Sequence, residues 1–283
     1  KNTYYRFLNE SRYNWKRFLT LLAVKVTDYF NGLTKPGRVI SLVLDDSVIP
    51  RERSKQVELL SRVYDHVARK TVKGFNMLTL GWTDNYSFVP VAFNMMASAD
   101  AGKRLVPAST NIDKRSSGYQ NRQDAVLHKP QAAIKMIHDA LLAGIRASYV
   151  LMDTWFTNEP FIREVVKEGI DVIGMLKDNK QRYFYKGKLY NLKQLSMLVN
   201  YNTPGNIFGS VCVKTGKYAI PVKLVFVRNR NKKSEYIIIL TTDCSLPASE
   251  AVRIYGNRWS IEVFFPCGQV PVMSGRRIPG AQL

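Results

Sequence analysis

With 283 residues and 46% apolar content the chain can bury a full hydrophobic core, which excludes a disordered or fibrous protein. Its 42 Lys and Arg against 22 Asp and Glu give a net charge of +20, spread from Lys1 to Arg277. That points to a long polyanion such as duplex nucleic acid, although a ribosomal or membrane-surface protein would share the charge. Three distant cysteines, Cys212, Cys244 and Cys267, exclude a disulfide framework and a C-x-x-C metal site, and no apolar run approaches the roughly 18 residues of a membrane span.

Residues 1–36 read as a helical segment: Tyr5, Leu8, Trp15, Phe18, Leu22, Val26 and Tyr29 recur at helical spacing, and Gly32 with Lys35-Pro36-Gly37 closes them. A packing cap and the remnant of a DNA-binding region are both open readings, and the missing initiator Met suggests a trimmed start. The apolar run Val39 to Leu44 predicts a buried strand that exits into Asp45-Asp46-Ser47. Carboxylates there need a partner or a cation, the plainer alternative being an Asx-type turn. From Arg51 to Arg69, Val57, Leu60, Val63 and Tyr64 fit a basic amphipathic helix, and His66 has no partner at metal spacing. Met77 to Thr83 and Phe88 to Phe93 flank Asp84-Asn85, a hairpin pattern.

Ala97 to Asp124 is polar and reads as a loop that meets a polyanion through Lys103, Arg104, Lys114, Arg115 and Arg122. A helix from about Pro130 to Gly144 leads to a strand, Ser148 to Met152, that also ends in an acid, Asp153. A helix from Thr157 to Glu168 and a strand from Asp171 to Leu176 complete crossover units on a mainly parallel sheet. Between residues 181 and 236 the period becomes strand-like, with turns at Lys186-Gly187, Pro204-Gly205 and Thr215-Gly216, which reads as a β-rich insertion with basic hairpins. Ile237 to Leu240 is a strand of either the insertion or the core. Ala248 to Phe265 then reads as one helix, with Tyr255, Arg258 and Glu262 on a single stripe and Trp259, Ile261, Val263 and Phe264 as its apolar surface.

Two acids that end apolar strands and a third on a later helix form a set. Converging carboxylates repel each other unless divalent cations sit among them, and hard oxygen ligands favour Mg²⁺, with Mn²⁺ as substitute. Two such ions suit phosphodiester displacement.

On these residues the chain resembles the RNase H-like DDE transposases of bacterial insertion sequences, in particular the insertion-sequence-four-like group. The L-V-L-D-D-S and Y-V-L-M-D-T-W-F runs are similar to its first two acidic motifs. Tyr255, Arg258 and Glu262 fit the Tyr, Arg, Glu, Lys signature with gaps of two and three residues. The resemblance, from about Gly37 to Phe265, implies an α/β fold: an RNase H-like mixed sheet flanked by helices, with a β-rich insertion between the second Asp and the Glu-bearing helix. It divides the chain into a helical segment (1–36), the first part of the core (37–180), the insertion (181–236), the Glu-bearing helix (237–265) and a tail (266–283).

It further implies cut-and-paste DNA transposition, with Asp45, Asp153 and Glu262 as catalytic ligands of two Mg²⁺ (or Mn²⁺) ions and Asp46 as a substitute for Asp45. Tyr255 and Arg258, with Lys103, Arg104, Lys114 and Arg115, would contact double-stranded DNA. A homodimer on paired element ends, in the bacterial cytoplasm and on the nucleoid, is the expected assembly. The signature's Lys would fall at position 269, where the chain has Gln269, and Pro266 is expected to stop the helix. A truncated transposase that only binds DNA, and an RNase H-like nuclease or resolvase, are therefore the alternative readings.

Overall fold

A computed structural model describes residues 2–34, 37–65, 68–177, 181–199, 206–228 and 236–268. Two helices open the chain, α1 (Asn2–Leu8) and α2 (Trp15–Leu33), and four strands follow: β1 (Ser41–Pro50), β2 (Ser61–Asp65), β3 (Lys70–Thr83) and β4 (Phe88–Met96). After α3 (Ser117–Ala125) and α4 (Lys129–Leu142) come β5 (Tyr149–Met152), α5 (Glu159–Lys167) and β6 (Asp171–Leu176). The chain continues through β7 (Tyr183–Tyr185), β8 (Lys188–Tyr190), α6 (Leu192–Leu198), β9 (Ile207–Thr215), β10 (Pro221–Arg228) and β11 (Tyr236–Thr241). It closes with α7 (Ala248–Gly256) and α8 (Trp259–Gly268).

The strands form one mixed sheet in the order β2-β3-β1-β5-β6-β11-β10-β9-β7-β8, with β4 also on β3. Among the described residues only β1 with β5 and β5 with β6 run parallel. The order β4-β3-β1-β5-β6 is that of an RNase H-like core flanked by helices. The β-rich residues after β6 lengthen this sheet: β11 pairs with both β6 and β10, so it belongs to the core and to the insertion at once.

Side-chain alternation divides the core into two layers. Leu42, Leu44, Val150 and Met152 point to the layer shared with α2, α4 and α5, where Ala23, Ala133, Ile137 and Ile162 are buried. Val43, Leu151, Ile173 and Ile239 point to the other layer, covered by Ala251 and Ile254 of α7 and Ile261 of α8. The first layer is also pinned by charge. Lys16 Nζ lies 2.8 Å from Asn94 Oδ1 and 3.2 Å from the buried Asp124 carboxylate, which ties α2 to β4 and α3. Among the described residues no helix is long and apolar enough to cross a membrane.

Five expectations are corrected. The stretch Arg51 to Arg69 is no helix: Ser61 and Val63 are buried while Arg62 and Tyr64 are exposed, a period of two that β3 captures in the pairs Ser61↔Gly74 to Asp65↔Lys70. The polar loop contains α3, because Ser116 caps it by accepting a hydrogen bond from Tyr119 N. Asp45 and Asp46 lie inside β1 and not at its end, although full burial stops at Leu44. The expected long helix divides at Asn257-Arg258, where Asn257 N to Ile254 O and Arg258 N to Tyr255 O are tight i to i−3 bonds. Pro266 does not stop α8, which runs two residues further to Gly268: proline's fixed φ lies at the helical value, and the cost is the one i to i−4 bond that its nitrogen cannot donate. Lys35, Pro36, His66, Pro204, Gly205, Gln269 and the tail beyond it lie outside the described residues.

Gly174 of β6 shows how closely this core backs the acidic strand end. A Cβ there would overlap the Thr157 hydroxyl and come within 2.9 Å of Thr157 Cγ2 and 3.0 Å of Met152 Cγ. Thr157 is itself buried and donates to the Asp153 main-chain oxygen. Gly174→Ala should therefore destabilise the fold by roughly 1–3 kcal/mol in urea unfolding, as overpacking does; an unchanged midpoint would show that the turn after β5 yields freely.

Candidate active site

Strand β5 accompanies β1 only from Ser41↔Tyr149 to Val43↔Leu151. Asp45 and Asp153 each lie two residues beyond the last of these pairs, Asp45 still within β1 and Asp153 as the first residue after β5. Asp45 has the parity of Val43, so it faces the layer of α7 and α8. Asp46 has the opposite parity, and its carboxylate lies 2.7 Å from Lys129 Nζ at the start of α4.

The α7–α8 junction brings the third acid to Asp45. Arg258 Nη2 pairs with Glu262 Oε1, and Arg258 Nη1 stands 3.8 Å from Asp45 Oδ1. The side chains of Arg258 and Asp45 are only 15% and 19% exposed, which makes this a half-sequestered charge cluster and not a surface pair. The guanidinium carbon also lies 6.0 Å from the centre of the Tyr255 ring. The break between α7 and α8 keeps Tyr255, Arg258 and Glu262 together, since its tight bonds continue the helical path for one turn.

Electrostatics link the set. Burial, first of all, pushes the Asp45 carboxyl up to about 7; Arg258 opposes the rise, and the charges of Asp46, Asp153 and Glu262 add to it. Burial raises the Tyr255 hydroxyl as well, against Arg258 and with help from Asp153 and Glu262. Burial works against the Arg258 charge, but Tyr255, Glu262 and Asp45 together hold its pKa above the ordinary value. Asp45, Asp153, Glu262, Tyr255 and Arg258 thus share one electrostatic neighbourhood.

Asp153 is fixed differently. Its Oδ1 accepts from Trp155 N at 3.0 Å and Phe156 N at 3.2 Å, an Asx-type turn that orients the carboxylate at the strand's end. Sequence reasoning gave no role to two neighbours of this turn: the half-exposed Trp155, within the Y-V-L-M-D-T-W-F run, and Lys129, whose Nζ lies 4.4 Å over the Trp155 ring. Lys129 is 83 residues from Asp46, and no local spacing signals their contact. Arg122, counted with the loop cations, instead pairs with Glu58 at 2.6 Å.

The four other expected DNA contacts stand apart. Lys103 lies 4.0 Å from Asp100 and Arg115 3.1 Å from Asp113, both in exposed local pairs, while Lys114 is exposed and Arg104 bridges to Ser61 beside β2. None of the four shares an ion pair or hydrogen bond with Asp45, Asp153 or Glu262 among the described residues.

The chemistry of the donors suits a hard divalent cation: Arg258 pairs with the carboxylates of Asp45 and Glu262, and the charge of Asp153 adds to that of Glu262 at Asp45. Among the described residues, however, no three such side chains stand at the mutual spacing of a ready-made metal cage, and Arg258 supplies the counter-charge between Asp45 and Glu262.

A family model for DDE superfamily endonucleases matches residues 1–189, and one for the transposase DDE domain matches residues 118–267. No curated protein matches the chain. Among solved structures it is similar to the Drosophila P element transposase strand transfer complex, at 8% identity over 62% of this chain and 38% of that one, with a TM-score of 0.26. The chain thus spans well under half the length of that protein.

The raised Asp45 pKa has a defined effect on stability. An unfolded Asp releases its proton near 3.8 and the folded one near 7, so the native state binds more protons between those values and stability falls as pH rises through the window. With divalent cations chelated, Asp45→Asn should be more stable than the parent at pH 8 by roughly 1–3 kcal/mol, the difference shrinking towards zero near pH 4. Urea unfolding at the two pH values measures this; a difference independent of pH would refute it.

Proposed function

The chain belongs to the DDE superfamily of endonucleases and transposases, and from that premise we propose that it is a DNA transposase: a metal-dependent phosphoryl transferase that hydrolyses phosphodiesters at the ends of a mobile element and joins the freed 3′-hydroxyls to target DNA. The observation that carries this reading is the shared neighbourhood of Asp45, Asp153 and Glu262, built from adjacent parallel strands and the α7–α8 junction.

Asp45, Asp153 and Glu262 would hold Mg²⁺, or Mn²⁺ in its place. When bound, the metal supplies a more acidic water or 3′-hydroxyl and charge stabilisation for the leaving oxygen. The protein's own groups do the positioning. The Asx turn fixes the Asp153 carboxylate, and β1 holds Asp45 against a rigid sheet. Arg258 is a planar, permanently charged donor that neutralises carboxylates and can present its fork to a phosphate, with Tyr255 packed at its side. Asp46 is turned to the opposite layer and already paired with Lys129, which makes Asp45 the better first ligand.

Double-stranded DNA is the proposed partner. The net charge of +20, the exposed Lys103, Lys114 and Arg115 and the partly buried Arg104 support a backbone-tracking surface, with two copies of the chain on paired ends and the nucleoid as the site of action. Placement in the insertion-sequence-four-like group rests on Tyr255, Arg258 and Glu262 at gaps of two and three residues, without the final Lys at 269.

Purified protein should nick supercoiled DNA only with Mg²⁺ or Mn²⁺. Asp45→Asn, Asp153→Asn and Glu262→Gln should each lower the rate by roughly 10²–10³-fold or more while DNA is still retained in a gel shift; Asp46→Asn should stay within a few-fold of the parent. Retained DNA binding with no nicking under any metal would sink the catalytic reading. The four loop cations carry a separate expectation: replacing them with Ala should flatten the decline of affinity with salt, because each lost phosphate contact removes about 0.9 from the log–log slope.

A further inference from the structure

Two of the three cysteines meet on the sheet, 32 residues apart in sequence. Cys212 lies in β9 and is exposed; Cys244 lies in the turn after β11 and is half-buried; both thiols are free. Cys212 Sγ is 4.0 Å from the main-chain oxygen of Cys244, and both line an open cleft of about 520 Å³ together with Tyr185, Lys186, Lys214 and Pro221. Burial raises the Cys244 thiol to about 11, and the adjacent Cys212 is the next cause. Free cysteines are usually buried and solitary, so an exposed one facing a second is unusual.

The turn that carries Cys244 feeds the helices of the candidate active site. Register places Lys223 of β10 opposite both Cys212 and Thr241, so the turn folds back over the row that begins at Cys212. Asp243 Oδ1 accepts from Ser245 N and Leu246 N, its Oδ2 accepts from the Tyr149 hydroxyl at 2.9 Å, and Lys223 Nζ donates to Leu246 O at 2.6 Å. From Ala248 onward the chain is α7, which leads directly to Tyr255, Arg258 and Glu262.

We propose that Cys212 and Cys244 are a peroxide-responsive pair that closes a reversible disulfide, stapling the turn that leads into α7 onto β9. In the first step the Cys212 thiolate attacks a peroxide oxygen: an S–O bond forms, the O–O bond breaks, and the departing hydroxide takes up a proton to become water. The Cys244 sulfur then attacks the Cys212 sulfenic acid; an S–S bond forms, the S–O bond breaks, and a second water leaves with the Cys244 proton. Two thiols lose two electrons and the peroxide gains them, while a dithiol reductant reverses the change. The closed loop tethers the start of α7 and so restricts the helix pair that presents Arg258 and Glu262.

The test uses the full chain in a Cys267→Ser background, so that only these two thiols remain. Hydrogen peroxide should lower the intact mass by two hydrogens, and peptide mapping should join the peptides of Cys212 and Cys244. Amide exchange across residues 243–256 should slow, all three changes reversing with dithiothreitol and failing in Cys212→Ser. A mass increase from added oxygen, a linkage between chains, or thiols that remain titratable after peroxide would overturn the proposal. Should the variants not fold, peptide mapping of the peroxide-treated parent chain reads the same linkage, and its absence there overturns the proposal equally. None of these readouts depends on DNA cleavage, so the inference stands or falls apart from the transposase reading.

Discussion

Three residue pairs of parallel sheet, Ser41↔Tyr149 to Val43↔Leu151, are the constraint on which the candidate site depends. They hold the buried part of β1 beside the fully buried β5 and stop before each chain reaches its acid. Because the pairing is short, Asp45 and Asp153 emerge together at the edge of the buried region. Burial is the main reason the Asp45 carboxyl is pushed up to about 7; the charge of Asp153 adds to the rise, and Arg258 opposes it.

Arg258 joins the two halves of the site. It sits where α7 gives way to α8, and because the tight bonds at Asn257-Arg258 keep the helical path, its side chain reaches both Asp45 on the sheet and Glu262 four residues onward. Ile254 and Ile261 on either side of the break are fully buried against Val43, Leu151 and Ile239, so the junction is held by packing as well as by charge. Charge and packing reinforce one another here: the apolar layer excludes water from the ion pairs, and the ion pairs orient the helices that form that layer.

The opposite layer has a different task. Lys16 reaches from α2 to Asn94 and the buried Asp124, and α4 and α5 cover the strands with Ala133, Ile137 and Ile162. Asp46 belongs to that side, where Lys129 neutralises it while lying over Trp155. Two adjacent aspartates in one strand therefore meet different fates, since the pleat sends them to opposite faces.

Much of this was legible in the order of the residues. Apolar runs that end in acids marked β1 and β5, the hairpin around Asp84-Asn85 was plain, and the short-range spacing of Tyr255, Arg258 and Glu262 survives the break between the helices because i, i+3 and i, i+4 neighbours stay close through a tight turn. Such local patterns are set by covalent geometry and side-chain polarity, which a linear chain carries by itself. Only tertiary structure could decide that Ser61 to Asp65 is a strand, because its partner in β3 overrides a helical spacing, or that Pro266 lies within α8. The same holds for the separate partners of Asp45 and Asp46, one of them Lys129 83 residues away, and for the meeting of Cys212 with Cys244. Each of these depends on which face a strand turns to a helix and on which distant segment fills the space beside it, and packing settles both only when the whole sheet has formed.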